Sequence, residues 1–279
     1  LLIALHARRS ARAIYRFARE HPDQPLIVAL TGTDLYRDIR TSRTAQRSLD
    51  LATRLVVLQP RGLDELQPAH RAKASVILQS AEPTSIASRN RGSASKRGFL
   101  VCVLGHLRHE KDPLRTGLAT RLLPKNSRVR VTHLGAPLDP AMGRWARTES
   151  DRNARYSWIG EVAHGRARRI LAQSDLMVLT SRMEGGANVL SEALVDSVPI
   201  VASNIPSTVG ILGARYPGLY PVGDTTKLAE LLNRAETDLK FYTRLTAWCV
   251  RLAPRVAPTA ERESWRQLVH ELSPTRTPS

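Results

Sequence analysis

Two glutamates eight positions apart belong to a run of residues that combines several features of a ligand site. The run reads Thr180-Ser-Arg-Met-Glu-Gly-Gly-Ala-Asn-Val-Leu-Ser-Glu192 and is followed by an apolar segment that begins at Pro199. Its residues favour, in order, a strand, a loop with Gly185 and Gly186, a helix and another strand. The glycines let the backbone approach a ligand closely, and the free N–H groups at the start of a helix favour a diphosphate.

The two carboxylates, Glu184 and Glu192, are poor ligands for phosphate but good acceptors for the hydroxyl groups of a sugar. The buried stripe of the helix is expected to consist of Val189, Leu190, Ala193 and Leu194. The helical wheel then places Asn188, Ser191 and Glu192 on the opposite side, where Glu192 would face a cleft. Glu184 is expected at the carboxyl edge of a sheet, where open α/β sheets bind ligands. One such glutamate alone would be typical of a solvated helix, but the whole run favours a ligand site.

Short apolar segments alternate along the chain with longer segments of helical periodicity. The predicted strands are Leu1–His6, Leu26–Thr31, Leu55–Gln59, Ser75–Gln79, Phe99–Leu104, Arg128–Leu134, Tyr156–Ile159, Leu176–Thr180 and Ile200–Ser203. The predicted helices are Ser10–Glu20, Arg43–Ala52, Leu114–Leu123, Gly165–Ser174, Asn188–Asp196, Leu228–Arg234, Leu239–Leu252 and Ala260–Leu272. This alternation predicts an α/β fold with parallel sheets that carry helices on both faces.

The small and polar residues between Ala81 and Gly98 have the composition of a linker. We therefore expect two α/β domains, over residues 1–90 and 91–255, and a C-terminal helix and tail over residues 256–279. Because only four strands are predicted in the first domain, we expect that domain to be incomplete at its start.

The composition is typical of a globular chain with a sizeable core, since 42% of its 279 residues are hydrophobic and 24% are charged. Its longest apolar runs, such as Phe99–Leu104, are too short to cross a bilayer. Only Cys102 and Cys249 are present, without the spacing of a zinc site, so we expect neither a disulfide framework nor a bound metal. Both cysteines are expected in the core, and the protein in the reducing cytoplasm.

The net charge of +17 would by itself suggest a nucleic-acid partner. However, its cations are scattered through all segments, only six of them are lysines, and few aromatic residues are available to stack on bases. We therefore expect no nucleic-acid partner, although a positive field would attract small anionic substrates. The sequence also lacks the Gly-x-Gly, Gly-Lys, His-Glu-x-x-His, Gly-x-Ser-x-Gly and Asp-x-Asp patterns. This argues against classical dehydrogenases, P-loop ATPases, hydrolases and metal-dependent transferases.

The run from Glu184 to Glu192 resembles the Glu-x7-Glu signature of family 4 glycosyltransferases, whose GT-B architecture has two Rossmann-like domains facing across a cleft. The segment Gly105-His-Leu-Arg-His-Glu-Lys111-Asp-Pro is similar to their Gly-Arg-Leu-x-x-x-Lys-Gly segment, whose Arg and Lys bind the donor diphosphate. Lys111 matches that pattern. His106 stands in the place of the Arg, and Arg108 is an alternative source of charge.

The same resemblance implies roles for further residues of the second domain. Glu184 would hold the sugar of a UDP-sugar and Glu192 the ribose hydroxyls, with Lys111 and Glu184 taking part in catalysis. The remaining implied donor contacts are Glu161 and Val162 in the base-contacting loop and the backbone N–H groups of Gly185, Gly186, Ala187 and Asn188. The UDP-sugar is then a co-substrate and no cofactor or metal is expected. The C-terminal helix would return toward the first domain.

The first domain carries a narrower resemblance. The phrases His6-Ala-Arg-Arg-Ser and Leu30-Thr-Gly-Thr-Asp resemble selenosugar synthases of selenoneine biosynthesis, which join a hexose from a UDP-sugar to selenophosphate. Arg8 and Arg9, beside a helix N-terminus, would form a pocket for a small tetrahedral anion, although two solvated arginines are an equal alternative. The other acceptor-side candidates are Thr31, Gly32, Thr33, Asp34 and, as a catalytic residue that orients the acceptor, His6.

Other functions stay open at this point. One is a family 4 glycosyltransferase with a hydroxyl acceptor, such as a lipid or a polysaccharide, and another is a sugar-nucleotide epimerase of the same architecture. A basic nucleic-acid-binding module is the alternative from a different class. The hexose itself is glucose or N-acetylglucosamine. The remaining histidines singled out, His109, His133 and His164, are expected to be surface or core residues without a role in the site.

Overall fold

A computed structural model describes residues 1–85 and 98–272, which form two parallel sheets covered by helices. This confirms the predicted α/β class with two parallel-sheet domains. The first sheet consists of β1 (Leu2–Leu5), β2 (Leu26–Leu30), β3 (Arg54–Val57) and β4 (Ala74–Val76), in that order. Every residue of β2 is buried, which explains why this strand reads as an uninterrupted apolar run.

The first sheet is flanked by α1 (Ala11–Glu20), α2 (Ile39–Thr41), α3 (Arg43–Leu51) and α4 (Pro68–Arg71). A five-residue π-helical turn, Asp34–Asp38, follows β2, and a 3-10 turn, Pro60–Glu65, follows β3. One face of the sheet packs against Ile14 of α1 and Leu49 of α3. The other face is covered by Leu268, which belongs to the last helix of the chain.

The second sheet consists of β5 (Phe99–Leu104), β6 (Val129–Leu134), β7 (Tyr156–Trp158), β8 (Leu176–Leu179), β9 (Ile200–Ser203) and β10 (Leu219–Tyr220). Its strand order is β10-β9-β8-β5-β6-β7. The chain therefore moves outward from β5 to β7 and then returns to place β8 on the other side of β5. At such a reversal the loops after the two central strands diverge, and a crevice opens at their carboxyl ends.

The second sheet carries α5 (Arg115–Arg121), α6 (Pro140–Arg152), α7 (His164–Gln173), α8 (Asn188–Val195), α9 (Pro206–Leu212), α10 (Thr225–Thr237) and α11 (Leu239–Leu252). The chain then forms 3-10 turns over Ala253–Val256 and α12 (Pro258–Leu272), and an earlier 3-10 turn spans His109–Lys111. Side chains fix several helix starts. For example, Asp224 accepts a hydrogen bond from the Lys227 amide at 2.8 Å, and Asp238 caps α11 in the same way.

All predicted strands are present with small differences at their ends, whereas β10 and the helices α2, α4, α6 and α9 were not predicted from the sequence. In α6 the apolar periodicity is weak, and the helix is defined instead by Pro140 and by Asp139, whose side chain accepts hydrogen bonds from the Ala141 and Met142 amides. In α9 a proline again stands at the start, where its missing N–H costs no hydrogen bond.

The connection between the domains is anchored to the second one before it leaves the described residues. Thr84 donates hydrogen bonds from its amide and its hydroxyl to Asp196, at 2.7 and 3.0 Å. Asp196 also pairs with buried Arg168 at 2.8 Å, and Arg168 reaches the Glu82 carbonyl. The predicted linker lies largely outside the described residues, because residues 86–97 are not among them, and so does the predicted tail over residues 273–279.

Two further expectations from the sequence concern the cysteines and membrane spans. Cys102 and Cys249 are both free and buried, and burial raises the pKa of the Cys102 thiol to about 12. Within residues 1–85 and 98–272, no helix is long and apolar enough to cross a membrane.

Candidate functional site

The loop after β5 forms one wall of the crevice, and a buried histidine holds it in place. His133 on β6 lies 3.0 Å from the Gly105 carbonyl through Nε2 and 2.7 Å from the Tyr156 hydroxyl through Nδ1. Because a carbonyl can only accept, Nε2 carries the proton and Nδ1 accepts from Tyr156. Burial lowers the pKa of His133 to about 4, so the ring is neutral at physiological pH. Of the two roles left open for His133, the structure gives it that of a core residue.

Lys111 and Glu184 meet across the gap between the loops that follow β5 and β8. The Lys111 ammonium donates to Glu184 Oε1, and the Ser181 hydroxyl donates to the same oxygen at 2.6 Å. The Thr180 hydroxyl fixes the Lys111 backbone by donating to its carbonyl at 2.7 Å. Both charged side chains are mostly buried, at 18% and 10% exposure. The structure therefore brings together a cation and a carboxylate whose roles were predicted separately.

A cavity of 420 Å³ opens beside this ion pair, at the carboxyl ends of the central strands. Five of the predicted donor-binding residues line it, namely His106, Lys111, Glu161, Val162 and Glu192. The Glu192 side chain is 10% exposed. A cavity with one ammonium group, two carboxylates and two imidazoles can bind a ligand that carries both an anionic group and hydroxyl donors.

The environment of α8 differs from the helical-wheel prediction. Leu190, Ala193 and Leu194 are buried as expected, but Val189 is only half-buried. On the side expected to be open, Asn188 is exposed, whereas Ser191 and Glu192 are buried. Ser191 is buried because the first domain packs on this helix, and the Ser191 hydroxyl donates to the Gln79 carbonyl at 2.6 Å. Glu192 lines the cavity described above and contacts His164 of α7.

The glycines of the signature run lie directly against the first domain. A Cβ atom on Gly185 would lie 2.4 Å from the Gly32 nitrogen, and one on Gly186 would lie 2.6 Å from Cβ of Leu58. The sequence predicts close approach of a ligand at these positions, and the structure places the loop after β2 against Gly185 and the loop after β3 against Gly186. The predicted acceptor-side loop and the predicted donor-side loop are therefore in contact.

His6 follows β1 in a left-handed conformation, with φ of 70°, which is unfavourable for a residue with a side chain. Its Nδ1 accepts from the Arg9 amide at 3.3 Å, so in the neutral ring the proton is on Nε2. Nε2 lies 3.0 Å from the Thr33 hydroxyl oxygen, which accepts this proton and keeps its own hydrogen free for another acceptor. With 8% of its side chain exposed, His6 acts on its surroundings mainly through Thr33.

Asp34 has a different position from the one predicted. It is fully buried, and its carboxylate accepts hydrogen bonds from the Ala7 amide at 2.9 Å and from the Thr31 amide and hydroxyl at 2.8 Å. It therefore ties the loops after β1 and β2 together, and this positioning role replaces the predicted direct contact with an acceptor.

Arg8 and Arg9 are both exposed beside the start of α1. Arg8 donates to Asp38 Oδ1 at 3.3 Å, and Asp38 Oδ2 lies 3.9 Å from His6 Nε2. Asp38 was not predicted as a site residue. The π-helical turn that it ends could not be read from the sequence, although such turns are frequent at functional sites.

On the donor side, His106 accepts from the Ala136 amide through Nδ1 at 2.9 Å, which leaves Nε2 free to face the cavity. Arg108 is exposed, as is His109, and neither lines the cavity. His164, which was expected to have no role, lines the cavity and lies 3.1 Å from Glu192 Oε1 through Nε2. Nothing in the local sequence indicates this contact, because the two residues belong to different helices.

Comparisons with known proteins bear on this site. Residues 85–247, more than half of the chain, match the family described as Glycosyl transferases group 1. No curated protein matches the chain.

Among solved structures, Anabaena Alr3699/HepE in complex with UDP is similar with a TM-score of 0.76 and 17% identity, over 96% of this chain and 78% of that chain. The same protein in complex with UDP-glucose has a TM-score of 0.73 at 18% identity, with the same coverage. An α,α-trehalose-phosphate synthase (UDP-forming) from Burkholderia vietnamiensis has a TM-score of 0.77 at 13% identity, over 98% of this chain and 74% of that chain. At these identities the likeness establishes a shared fold.

Proposed function

We propose that this chain, which belongs to the glycosyl transferases group 1 family, transfers a hexose from a UDP-sugar to selenophosphate and so forms a selenosugar in selenoneine biosynthesis. The observation that carries the donor half of this proposal is that Lys111 and Glu192 line one cavity at the carboxyl end of β5, where Lys111 also pairs with Glu184. The neighbours support a UDP-sugar as donor, since HepE was crystallised with UDP and with UDP-glucose.

In this proposal each charged side chain of the donor site has one function. Glu192 has a free carboxylate oxygen that accepts from the vicinal ribose hydroxyls, and Glu184 accepts from hydroxyls of the hexose. Lys111 already lies beside Glu184, so a diphosphate between sugar and nucleoside would replace part of that ion pair with its own charge. The ammonium group then stabilises the negative charge that develops on the leaving UDP.

The Lys111 ammonium and the His106 imidazole N–H take the place of a divalent metal in this proposal. Lys111 and His106 both line the cavity, where we place the diphosphate, and His106 Nε2 is available as a further donor. Transfer activity should therefore persist in the presence of EDTA. Loss of activity with EDTA and recovery with Mg²⁺ would contradict this part of the proposal.

The acceptor half rests on the loops after β1 and β2. Arg8 and Arg9 supply positive charge, and the Thr33 hydroxyl, whose oxygen accepts from His6, can donate to an anion. Gly32 contacts Gly185, so this cluster lies next to the loop that carries Glu184. A small tetrahedral anion held there would lie close to a sugar held by Glu184.

The chemical step is a substitution at the anomeric carbon. A selenium lone pair of selenophosphate forms the new Se–C bond, while the bond from the anomeric carbon to the β-phosphate oxygen breaks and its electron pair leaves with UDP. Selenophosphate is already anionic, so the step requires no strong general base. The immediate products are a hexosyl selenophosphate and UDP.

Mass spectrometry of a reaction with selenophosphate and either UDP-glucose or UDP-N-acetylglucosamine tests the proposal. We expect a selenium-containing hexose product and UDP, and neither when selenophosphate is left out. Sugar transfer to a lipid or polysaccharide hydroxyl without selenophosphate would refute the acceptor assignment. Conversion of the UDP-sugar into an epimer without any acceptor would refute the transfer itself.

A further inference from the structure

We infer that His164 is a positioning residue that holds the Glu192 carboxylate in the orientation needed for the ribose of the donor. This inference rests on the proposed function, because it gives a purpose to a contact inside the proposed donor site. His164 begins α7, Glu192 lies on α8, and the imidazole Nε2 is 3.1 Å from Glu192 Oε1.

Glu192 needs such a partner because its surroundings give it little other support. Its side chain is 10% exposed, and His164 is the one hydrogen-bond donor that its carboxylate has within residues 1–85 and 98–272. A carboxylate removed from most of its water is stabilised by a donor that remains, and without one it turns toward any available cation. Lys111 lines the same cavity and is a cation of this kind.

The contact leaves the binding capacity of Glu192 largely free. The imidazole N–H occupies one lone pair on Oε1, whereas Oε2 and the second lone pair of Oε1 can still accept hydrogen bonds. Two adjacent ribose hydroxyls need two acceptors in a fixed plane. Holding the carboxylate in that plane before the ligand arrives reduces the side-chain entropy lost on binding.

The His164 ring itself is 77% exposed, so it is held by Glu192 and is not buried in the core. Replacement of His164 should therefore leave the fold intact. A glutamine at this position places an amide nitrogen near the position of Nε2 and can still donate to Oε1, whereas an alanine cannot.

The test is a double-mutant cycle read out as UDP affinity by calorimetry. We expect His164→Ala to weaken UDP binding by roughly three- to tenfold, the effect of one lost hydrogen bond. His164→Gln should stay within about twofold of the unmodified protein, again on the scale of a retained hydrogen bond. In a Glu192→Ala background, His164→Ala should cause no further loss, because the carboxylate through which His164 acts is absent.

A matched control is available in the first domain. His70 on α4 forms a similar pair with a carboxylate, since its Nε2 lies 2.7 Å from Asp50 Oδ1, far from the cavity in the fold. His70→Ala removes a histidine–carboxylate pair and should leave the affinity for UDP unchanged. Thermal unfolding of each variant shows whether the fold is retained.

The outcomes separate this inference from the proposed function. If His164→Ala lowers the affinity equally in both backgrounds, His164 contacts the nucleotide by itself and the inference is overturned. Unchanged affinity in His164→Ala, or a His164→Gln variant as weak as His164→Ala, overturns it as well. If the unmodified protein binds no UDP, the proposed function fails and this inference fails with it.

Discussion

Gly185→Ala is the substitution whose effect follows most directly from the contact between the two domains. The added Cβ would lie 2.4 Å from the Gly32 nitrogen and 2.5 Å from the Thr31 carbonyl carbon, both of which are backbone atoms. Backbone cannot rotate away as a side chain can. The loop after β8 and the loop after β2 must therefore separate.

The size of the effect can be worked out from these distances. In the native backbone the added Cβ would lie 2.4 Å from the Gly32 nitrogen, whereas an ordinary contact is 3.4 Å or longer. The two loops must therefore move apart by about 1.0 Å. Overpacking of this kind costs about 1–3 kcal/mol if the structure is rigid. If the domains open instead, the acceptor loop moves by about 1 Å, and a misplacement of that size costs on the order of 100-fold in rate.

Transfer kinetics and UDP calorimetry together test this reasoning. We expect kcat to fall by roughly 100-fold, whereas the affinity for UDP should change little because the Gly185 N–H remains. Gly165→Ala on α7 is the matched control, since no atom beyond its chain neighbours and its own helix backbone lies within 4 Å of the added Cβ. It should keep the native rate and stabilise the helix by up to about 1 kcal/mol. A native rate in Gly185→Ala would refute the claim that these loops meet in the active protein.

Three further predictions concern residues that hold or charge the site. Because the pKa of His133 is lowered from 6.5 to about 4 in the folded state, the unfolded chain binds more protons below pH 6.5. The stability that this neutral residue contributes is therefore complete above pH 6.5 and falls by up to about 3 kcal/mol between pH 6.5 and 4. Urea unfolding of the native protein and of His133→Gln, at pH 6.5 and at pH 4, measures this difference. Equal pH dependence of the two would contradict the assignment. Asp34→Asn should lower stability by about 1–3 kcal/mol and raise the KM for the acceptor, while the affinity for UDP is kept. The reason is that the single amide oxygen of asparagine cannot accept from both the Ala7 and the Thr31 amides. An unchanged KM in acceptor titrations would argue against the positioning role of Asp34. Lys111→Ala should lower kcat for transfer by at least about 100-fold, the scale for loss of one electrostatic donor to the transition state. Steady-state rates within tenfold of the native rate would exclude Lys111 from catalysis.

The sequence was sufficient for the parts of the fold that depend on local periodicity. The strands of both sheets have continuous apolar residues because both faces of a parallel sheet are covered, and this pattern is visible without the structure. It was insufficient for α6, whose residues are mostly polar and which is defined by Asp139 and Pro140 at its start. The two-residue β10 is too short to give a pattern.

In the site, the sequence located the residue types but not their partners. The helical wheel placed Ser191 and Glu192 on the side away from the apolar stripe, but it could not show that Ser191 contacts Gln79 of the first domain. His164 and Glu192 are 28 positions apart in the sequence, and Arg8 and Asp38 are 30 positions apart. Such contacts are set by how helices and loops meet in space, and no spacing rule encodes them.

The central claim is that Glu192 and its neighbours bind the nucleotide of a UDP-sugar, and calorimetry of UDP with Glu192→Ala tests it most directly. Loss of hydrogen bonds to a charged group should weaken binding by roughly 10- to 100-fold. Glu230→Ala, which removes an exposed carboxylate on α10 that pairs with Lys227 at 2.7 Å, should bind UDP as the native protein does. Equal affinity for UDP in Glu192→Ala and the native protein would contradict the claim.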